Sequence, residues 1–310
     1  MHFKLIYENH WNFGLSVAET FLMLKYALEN VGHRADIEKE FCPGFINVVM
    51  ENFDEEFLAR INDQWTDDTK LIVIATEFLT GSTFNDIYDD PEERESKRNH
   101  YQNKKLWQDR FDNFVKLAPR MSAIWHLAFQ EVPIYQNIFK DIPVGYLPHI
   151  YSENFSRVTH LQDDEKDIDV FFSGAQNQYR NKILDSLRDV GLNVVMTHQM
   201  TAPFHREDLI ARSKLAVNIK QNSDWAYESN SRLFYHINND SLVLTEKCSD
   251  PSDLNKYVVT VDNNWVELVK EQLSLGHFTE RAIGIRQDFA KDKTPEMIIP
   301  LLLSDSGLFE

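Results

Sequence analysis

The sequence predicts an α/β protein of two Rossmann-like domains facing a central cleft. Three observations lead there. Short runs rich in Val, Ile, Leu and Phe alternate with helical stretches along most of the chain, the pattern of parallel strands joined by crossover helices. The alternation is clearest between Asp169 and Glu246, where four apolar runs are separated by helical or polar segments. Tyr151 to Lys166, between the two alternating halves, is polar and charged, as boundaries are. The expected division is a first domain over 1–150, a second over 151–280, and a helical segment over 281–310 packing back on the body.

In the first half, Phe3 to Tyr7 reads as a buried strand, followed by a polar loop from Glu8 to Leu15. Ser16 with Glu19 three residues later gives a capping box. Val17, Phe21, Leu24 and Leu28 then share one helical face, and Gly32 stops the helix. Ile46 to Met50 and Lys70 to Ala75 read as strands, the second running out into Thr76 and Glu77. The charged stretch from Asp86 to Arg98, which contains Pro91, reads as solvated. Tyr101 to Leu117 sets Leu106, Phe111, Phe114 and Leu117 on one side of a long helix that stops near Pro119. Ser122 to His126 and Val144 to His149 read as the last strands of this half, with a short helix from Pro133 to Phe139 between them.

In the second half, the strand Val170-Phe171-Phe172 breaks at Ser173-Gly174-Ala175 and gives way to a helix from Tyr179 to Val190, closed by Gly191. Val194 to Met196 is a second strand, Arg206 to Arg212 a polar helix, and Leu215 to Ile219 a third strand. A loop from Gln221 to Ser229 leads to a helix start at Asn230 to Phe234, and Leu242 to Thr245 is the fourth strand. A strand at Tyr257 to Val261, helices at Trp265 to Leu273 and Phe278 to Phe289, and an apolar stretch from Met297 to Leu303 complete the chain. Ligands of such sheets bind outside the carboxyl ends of the strands, so the turns after them are where chemistry is expected.

Composition narrows the function classes. A net charge of -17 over 310 residues argues against a sequence-independent grip on nucleic acid, which needs clustered Lys and Arg; nucleic acid remains conceivable only as an acceptor. The two cysteines, Cys42 and Cys248, lie far apart without paired-ligand spacing, so neither a disulfide framework nor a zinc site is expected. The N-terminal residues lack the apolar core of a signal peptide, and no apolar run approaches the ~20 residues that span a bilayer. The expectation is a cytoplasmic protein. A single Gly14 after the first strand is not the three-glycine dinucleotide fingerprint, which counts against a nicotinamide or flavin enzyme.

Ile168 to Gly174 followed by a helix carrying Arg180, then Ser231-Arg232-Leu233-Phe234 and Leu242-Val243-Leu244-Thr245, resemble glycosyltransferases of the GT-B fold. The likeness is to group 1 enzymes and the spore-maturation CgeB type, in which a segment reading roughly R-x-F-E-A-x-A-x-G-x-x-x-L-T closes the donor site. It covers about residues 168 to 275 and is architectural in the first half. Where that family has a Glu that holds the donor ribose, this chain has Tyr235, followed by His236. Asn238-Asn239-Asp240 replaces the small-small-Gly segment. The resemblance implies transfer of a sugar from a nucleotide-sugar donor to an unidentified acceptor, with the donor as co-substrate and no cofactor. A non-catalytic nucleotide- or sugar-binding protein and a sugar-nucleotide epimerase are the alternatives.

A diphosphate calls for backbone N–H groups at a helix start and for cations. Ser173 and Gly174 ahead of the helix carrying Arg180, and Asn230, Ser231 and Arg232 at the later helix start, supply both. Lys220, Tyr227 and Tyr235 complete the expected donor side. In retaining group 1 enzymes a Glu in the loop after the third strand lies near the transferred sugar, and Glu228 matches it by position. An inverting transfer needs a general base. His10 is the first choice, with Asn12, Gly14, Glu77, His126 and His149 as further acceptor-side candidates. Asp167 and Asp169 form a D-x-D pattern, but before a strand, not after one, so no metal is expected there.

Overall fold

The computed structural model describes residues 1–9, 17–86, 103–197 and 201–308. The chain forms two compact units: one of Met1–Ile150 with the chain from Pro295 onward, the other of Tyr151–Thr294.

The first unit contains strands β1 (His2–Ile6), β2 (Arg34–Glu38), β3 (Ile46–Met50), β4 (Lys70–Ala75), a small hairpin of β5 (Leu79–Thr80) and β6 (Thr83–Phe84), β7 (Ala123–His126) and β8 (Val144–Tyr146). Its six-stranded sheet runs β2-β1-β3-β4-β7-β8, every pair parallel. The strands read as nearly continuous apolar runs because both faces are covered. Helices α1 (Ala18–Asn30), α2 (Glu55–Gln64), α3 (Lys104–Leu117) and α4 (Val132–Ile138) connect them. One face packs Ile6, Val49, Val73 and Ile124 against Phe57, Trp107, Phe114 and Tyr135. The helix expected to start at Ser16 begins at Ala18 with Val17 at its cap, and Ser16 itself lies outside the described residues.

Three elements of this unit escape the sequence reading. β2 is an edge strand whose Arg-Ala-Asp-Ile-Glu sequence carries charges, because only one neighbour covers it. α2 starts at Asp54, whose side chain accepts from the Phe57 N–H, but it is only ten residues long. The hairpin's strands are two residues each, too short for a periodic signal.

The second unit contains β9 (Ile168–Ser173), α5 (Gln178–Asp189), β10 (Val194–Thr197), α6 (Pro203–Ala211), β11 (Ser213–Asn218), α7 (Asn230–Asn238), β12 (Val243–Glu246), β13 (Val259–Val261), α8 (Trp265–Leu275) and α9 (Phe278–Asp292). The sheet order is β10-β9-β11-β12-β13, all parallel, so the chain reverses its direction of travel between β9 and β11. Val170, Phe172, Leu215, Val217 and Leu244 form one buried layer with Leu184, Leu187 and Val269.

Residues 281–310 divide between the units. α9 stays with the second, while α10 (Pro295–Asp305) belongs to the first. There the buried Trp125 donates its indole N–H to Ser306 Oγ at 2.7 Å. Gly145 leaves room for Leu302, whose Cδ1 would stand 3.0 Å from a β-carbon. Among the described residues no helix is long and apolar enough to cross a membrane.

Candidate functional site

In an open parallel sheet the reversal of strand order opens a crevice at the carboxyl ends. In the second unit that point lies beyond Ser173 of β9 and Asn218 of β11. Arg232, in the first turn of α7, reaches it. Its guanidinium donates Nε–H to the Ser173 carbonyl and an Nη1 hydrogen to Asn218 Oδ1, each at 2.5 Å, and lies over the Phe172 ring at 5.0 Å. Gly174 makes this approach possible. A β-carbon there would sit 2.4 Å from Arg232 Nη2, and its φ of +154° is one that L side chains rarely adopt. The small-residue break after the strand and the arginine-bearing helix start thus meet in space.

Arg180 is 6 % exposed and fastens the same region. Its Nε–H is shared between the carbonyls of Ile219 (3.2 Å) and Lys220 (2.9 Å), and Nη1 donates to the Ala175 carbonyl at 2.8 Å. These bonds tie the turn after β9 to the turn after β11. Asn177 caps α5 by accepting from the Arg180 N–H and donates to the Gln221 carbonyl, so cap and turn are fixed together.

Lys220 bonds through its own N–H to Glu246 Oε2 at 3.0 Å, while its ammonium donates to the Ser223 carbonyl at 2.9 Å and stands 3.5 Å from Glu246 Oε1. Glu246 ends β12 and also accepts from the Tyr179 hydroxyl. Burial first, then the bond to Glu246, pushes the Tyr179 phenol well above its ordinary pKa, so it stays a donor. Glu228 is buried and accepts from the Ser252 N–H (2.9 Å) and hydroxyl (2.6 Å). Burial raises its pKa while the Ser252 bonds oppose the rise.

The start of α7 differs in detail from its sequence signature. Ser229, not Asn230 or Ser231, is the cap, and its side chain makes no capping bond, so Asn230 and Ser231 are the first helical residues. Tyr227 lies in the loop before that cap and is half-buried. Tyr235 is buried on α7, its ring packed by Phe155 and covered by the Arg206 guanidinium at 4.3 Å. The Asn-Asn-Asp segment has a structural role. Asn238 pairs with both backbone groups of Ser152, Asn239 accepts from the N–H groups of Arg157 and Val158, and Asp240 adopts φ +54° while pairing with Arg286 at 2.7 Å. The left-handed residue sits where the resembled segment has glycine, as that conformation favours Gly, Asn and Asp.

In the first unit, His10, Asn12 and Gly14 lie outside the described residues. Glu77, just past β4, receives Arg110 at 3.0 Å and the Asn85 amide at 2.6 Å. Arg110 also pairs with buried Glu51, whose Oε2 accepts from the Thr76 N–H and hydroxyl and the Glu77 N–H. Burial pushes Glu51 up to about 7, against the pull of Arg110. His126, fully buried, accepts from the Ala128 N–H through Nδ1, so Nε2 carries the proton and faces the Glu77 carbonyl at 3.2 Å. Burial lowers its pKa to about 4, so the ring is neutral at pH 7. His149 is buried just beyond β8.

Asp167 and Asp169, at the opposite end of the sheet from Arg232, are occupied by ion pairs. Asp167 takes two bonds from Arg212 and Asp169 pairs with Lys214 at 2.8 Å. Among the described residues no group of three or more His, Cys, Asp or Glu could hold a metal ion. Asn218, Glu246 and Tyr179 are the site residues that sequence reading missed. The usable signal was their place, since Asn218 and Glu246 are terminal strand residues and Tyr179 lies in the first turn of the helix after β9.

Neither protein-family models nor the curated proteins match this chain. Among solved structures it is similar to TarM, with TM-score 0.50 and 11 % identity over 84 % of this chain and 54 % of that one. It is similar to a mutant of S. aureus TarM in complex with Fondaparinux, alpha-GlcNAc-glycerol and UDP, again at TM-score 0.50 and 11 % identity, over 84 % of this chain and 55 % of that one. The glycotransferase of kitacinnamycin matches at TM-score 0.42 and 9 % identity, over 98 % of both chains. The chain spans about half the length of the TarM structures it matches. At such identities the likeness is one of fold, and the fold is that of GT-B glycosyltransferases, with two Rossmann-like domains.

Proposed function

We propose that this chain is a glycosyltransferase, related to the group 1 and CgeB-like enzymes it resembles, that takes a sugar from a nucleotide-sugar donor without a chelated catalytic metal. One observation supports this above the rest: Arg232 stands in the first turn of α7 with its guanidinium at the strand-order reversal, against the Gly174 backbone. A cation at a helix start opposes the helix dipole by some tenths of a kcal/mol, and a bound anion reverses the sign. Two of the acceptors that hold Arg232 there, a carbonyl and an amide oxygen, are neutral.

In this reading the donor diphosphate lies against Arg232 and the N-terminus of α7, with Lys220 beside it. Cleavage of the anomeric C–O bond leaves a nucleoside diphosphate whose new charge these cations stabilise. The acceptor hydroxyl forms the new bond to the anomeric carbon and gives up its proton. His10 is the proposed base. His126 is a poorer one, because its single ring proton and its lone pair are both turned to backbone groups.

A non-catalytic nucleotide-sugar-binding protein is the second reading. Tyr235 favours it, being buried under Arg206 where the resemblance puts a ribose-binding carboxylate. Calorimetric titration with UDP-, GDP-, CMP- and dTDP-sugars tests both. Binding of one class that falls at least tenfold in Arg232→Ala is expected, a loss of about 1.4 kcal/mol or more. No binding of any donor by the wild type removes the proposal. Binding without transfer, hydrolysis or epimerisation of the donor selects the second reading.

A further inference from the structure

Arg232 reaches its place through two side chains, Asn218 and the Thr245 that ends the resembled segment, to which the resemblance gives no role toward this arginine. Asn218 and Thr245 are the facing residues of β11 and β12, paired in parallel register, and both are buried. The Asn218 amide donates from Nδ2 to Thr245 Oγ1 at 3.0 Å, and its Oδ1 accepts from Arg232.

The order of these bonds is forced. A guanidinium can only donate, so the amide must turn its oxygen toward Arg232, which leaves its NH2 group pointing at β12. A residue at 245 must therefore accept, and a hydroxyl does. With the hydroxyl gone, the buried NH2 either stays unpaired or the amide turns over and sets its hydrogens against a cation. Either outcome loosens Arg232 at the point where it meets Ser173 and Gly174.

Resting on the reading of Arg232 as the diphosphate-binding cation, we propose that Asn218 and Thr245 are positioning residues: a buried relay from β12 through β11 that aims the Arg232 guanidinium at the donor. The neutrality of the relay matters as much as its geometry. A carboxylate at 218 would hold Arg232 equally well but would add a negative charge beside the proposed diphosphate.

Four variants, Thr245→Val, Thr245→Ser, Asn218→Asp and Arg232→Ala, separate aim from folding. Each is titrated with the donor that the wild type binds best and with inorganic pyrophosphate, and each is unfolded in urea. Thr245→Val is expected to weaken both ligands about tenfold, the scale of one lost hydrogen bond. Thr245→Ser is expected to restore wild-type affinity. Asn218→Asp is expected to bind pyrophosphate more weakly than the wild type while unfolding at an equal or higher urea concentration, a combination that a merely structural role does not produce. If the wild type binds and Thr245→Val binds equally well, the relay is overturned and the proposed function stands. If the wild type binds neither ligand, the proposed function falls, and the relay is then decided by unfolding alone. Midpoint shifts of Thr245→Val and Arg232→Ala that simply add in the double variant would overturn it, and a combined shift smaller than the sum would support it.

Discussion

Replacing Gly174 by Ala tests the contact on which the site is built, without reference to any ligand. The new β-carbon would meet Arg232 Nη2 at 2.4 Å, Arg232 Cζ at 3.3 Å and Phe172 Cζ at 3.2 Å. A clash with the tip of a flexible side chain is cheap when the tip can swing away. Here it is held by the Ser173 carbonyl, by Asn218 and by the Phe172 ring. Moving it forfeits at least one of its two hydrogen bonds from a charged donor, worth about 1.5–3 kcal/mol. The φ of +154° adds a backbone cost of about 1–3 kcal/mol for any residue with a β-carbon. The single substitution should therefore destabilise the second unit by about 3–6 kcal/mol. In an Arg232→Ala background the clash with the guanidinium is gone and the backbone cost remains, with the 3.2 Å contact to Phe172, so Gly174→Ala should then cost about 1–3 kcal/mol. The interaction energy from urea unfolding of wild type, both single variants and the double variant is expected to be about 2–3 kcal/mol. Additivity within about 0.5 kcal/mol would mean that Arg232 leaves its place at little cost, and both the site geometry and the relay behind it would be wrong.

Two further outcomes follow from buried polar groups. His236 is fully buried beside Phe171, and neither ring nitrogen has a hydrogen-bond partner among the described residues. Burial, with Arg232 and Arg206 nearby, lowers its pKa to about 3. As pH falls below 6.5 the unfolded chain takes up a proton that the folded ring refuses, so this stability is present above 6.5 and is lost on acidification. Each pH unit costs about 1.4 kcal/mol, or roughly 2 kcal/mol between pH 6.5 and 5. His236→Phe should lose that much less between pH 7 and 5 in urea titrations, and an unchanged pH dependence would show that the ring is not held neutral. Ser306→Ala leaves the Trp125 indole N–H buried without its 2.7 Å acceptor and should lower the stability of the first unit by about 1–3 kcal/mol. Fluorescence-detected unfolding that fails to shift would mean that α10 is not bound through this bond.

The parallel alternation was legible because each strand is covered on both faces and so becomes a short apolar run between turn signals. β4 and β9 show this most plainly. Where that cause fails, the signal fails too, as in the edge strand β2 with its ion pairs between Lys4, Asp36 and Glu38. The start of α6 went unread for a different reason. Its first turn is set by Pro203 and displays Phe204 at 77 % exposure, which blurs an amphipathic face.

The site was legible only in part, and the division is physical. Gly174 and Arg232 could be picked out because each breaks a local rule: a glycine where a strand meets a helix, and a cation at the positive end of a helix dipole. Residues that break local rules without a local benefit point to partners elsewhere, and these two turned out to be each other's partner. Asn218, Thr245 and Glu246 break no such rule. A polar residue at the end of a strand reads as an ordinary approach to solvent, and nothing in a one-dimensional pattern tells that β11 and β12 are neighbours in register. Arg180 shows the converse. It carries the same sign of charge near the same turn, but its hydrogens go to three backbone carbonyls, which makes it a fastening of the crevice wall. Charge near the turns after β9 and β11 therefore does not identify a ligand-binding cation. What separates Arg232 from Arg180 is the glycine that gives way to it, so the ligand hypothesis should be tested first at Gly174 and Arg232 together.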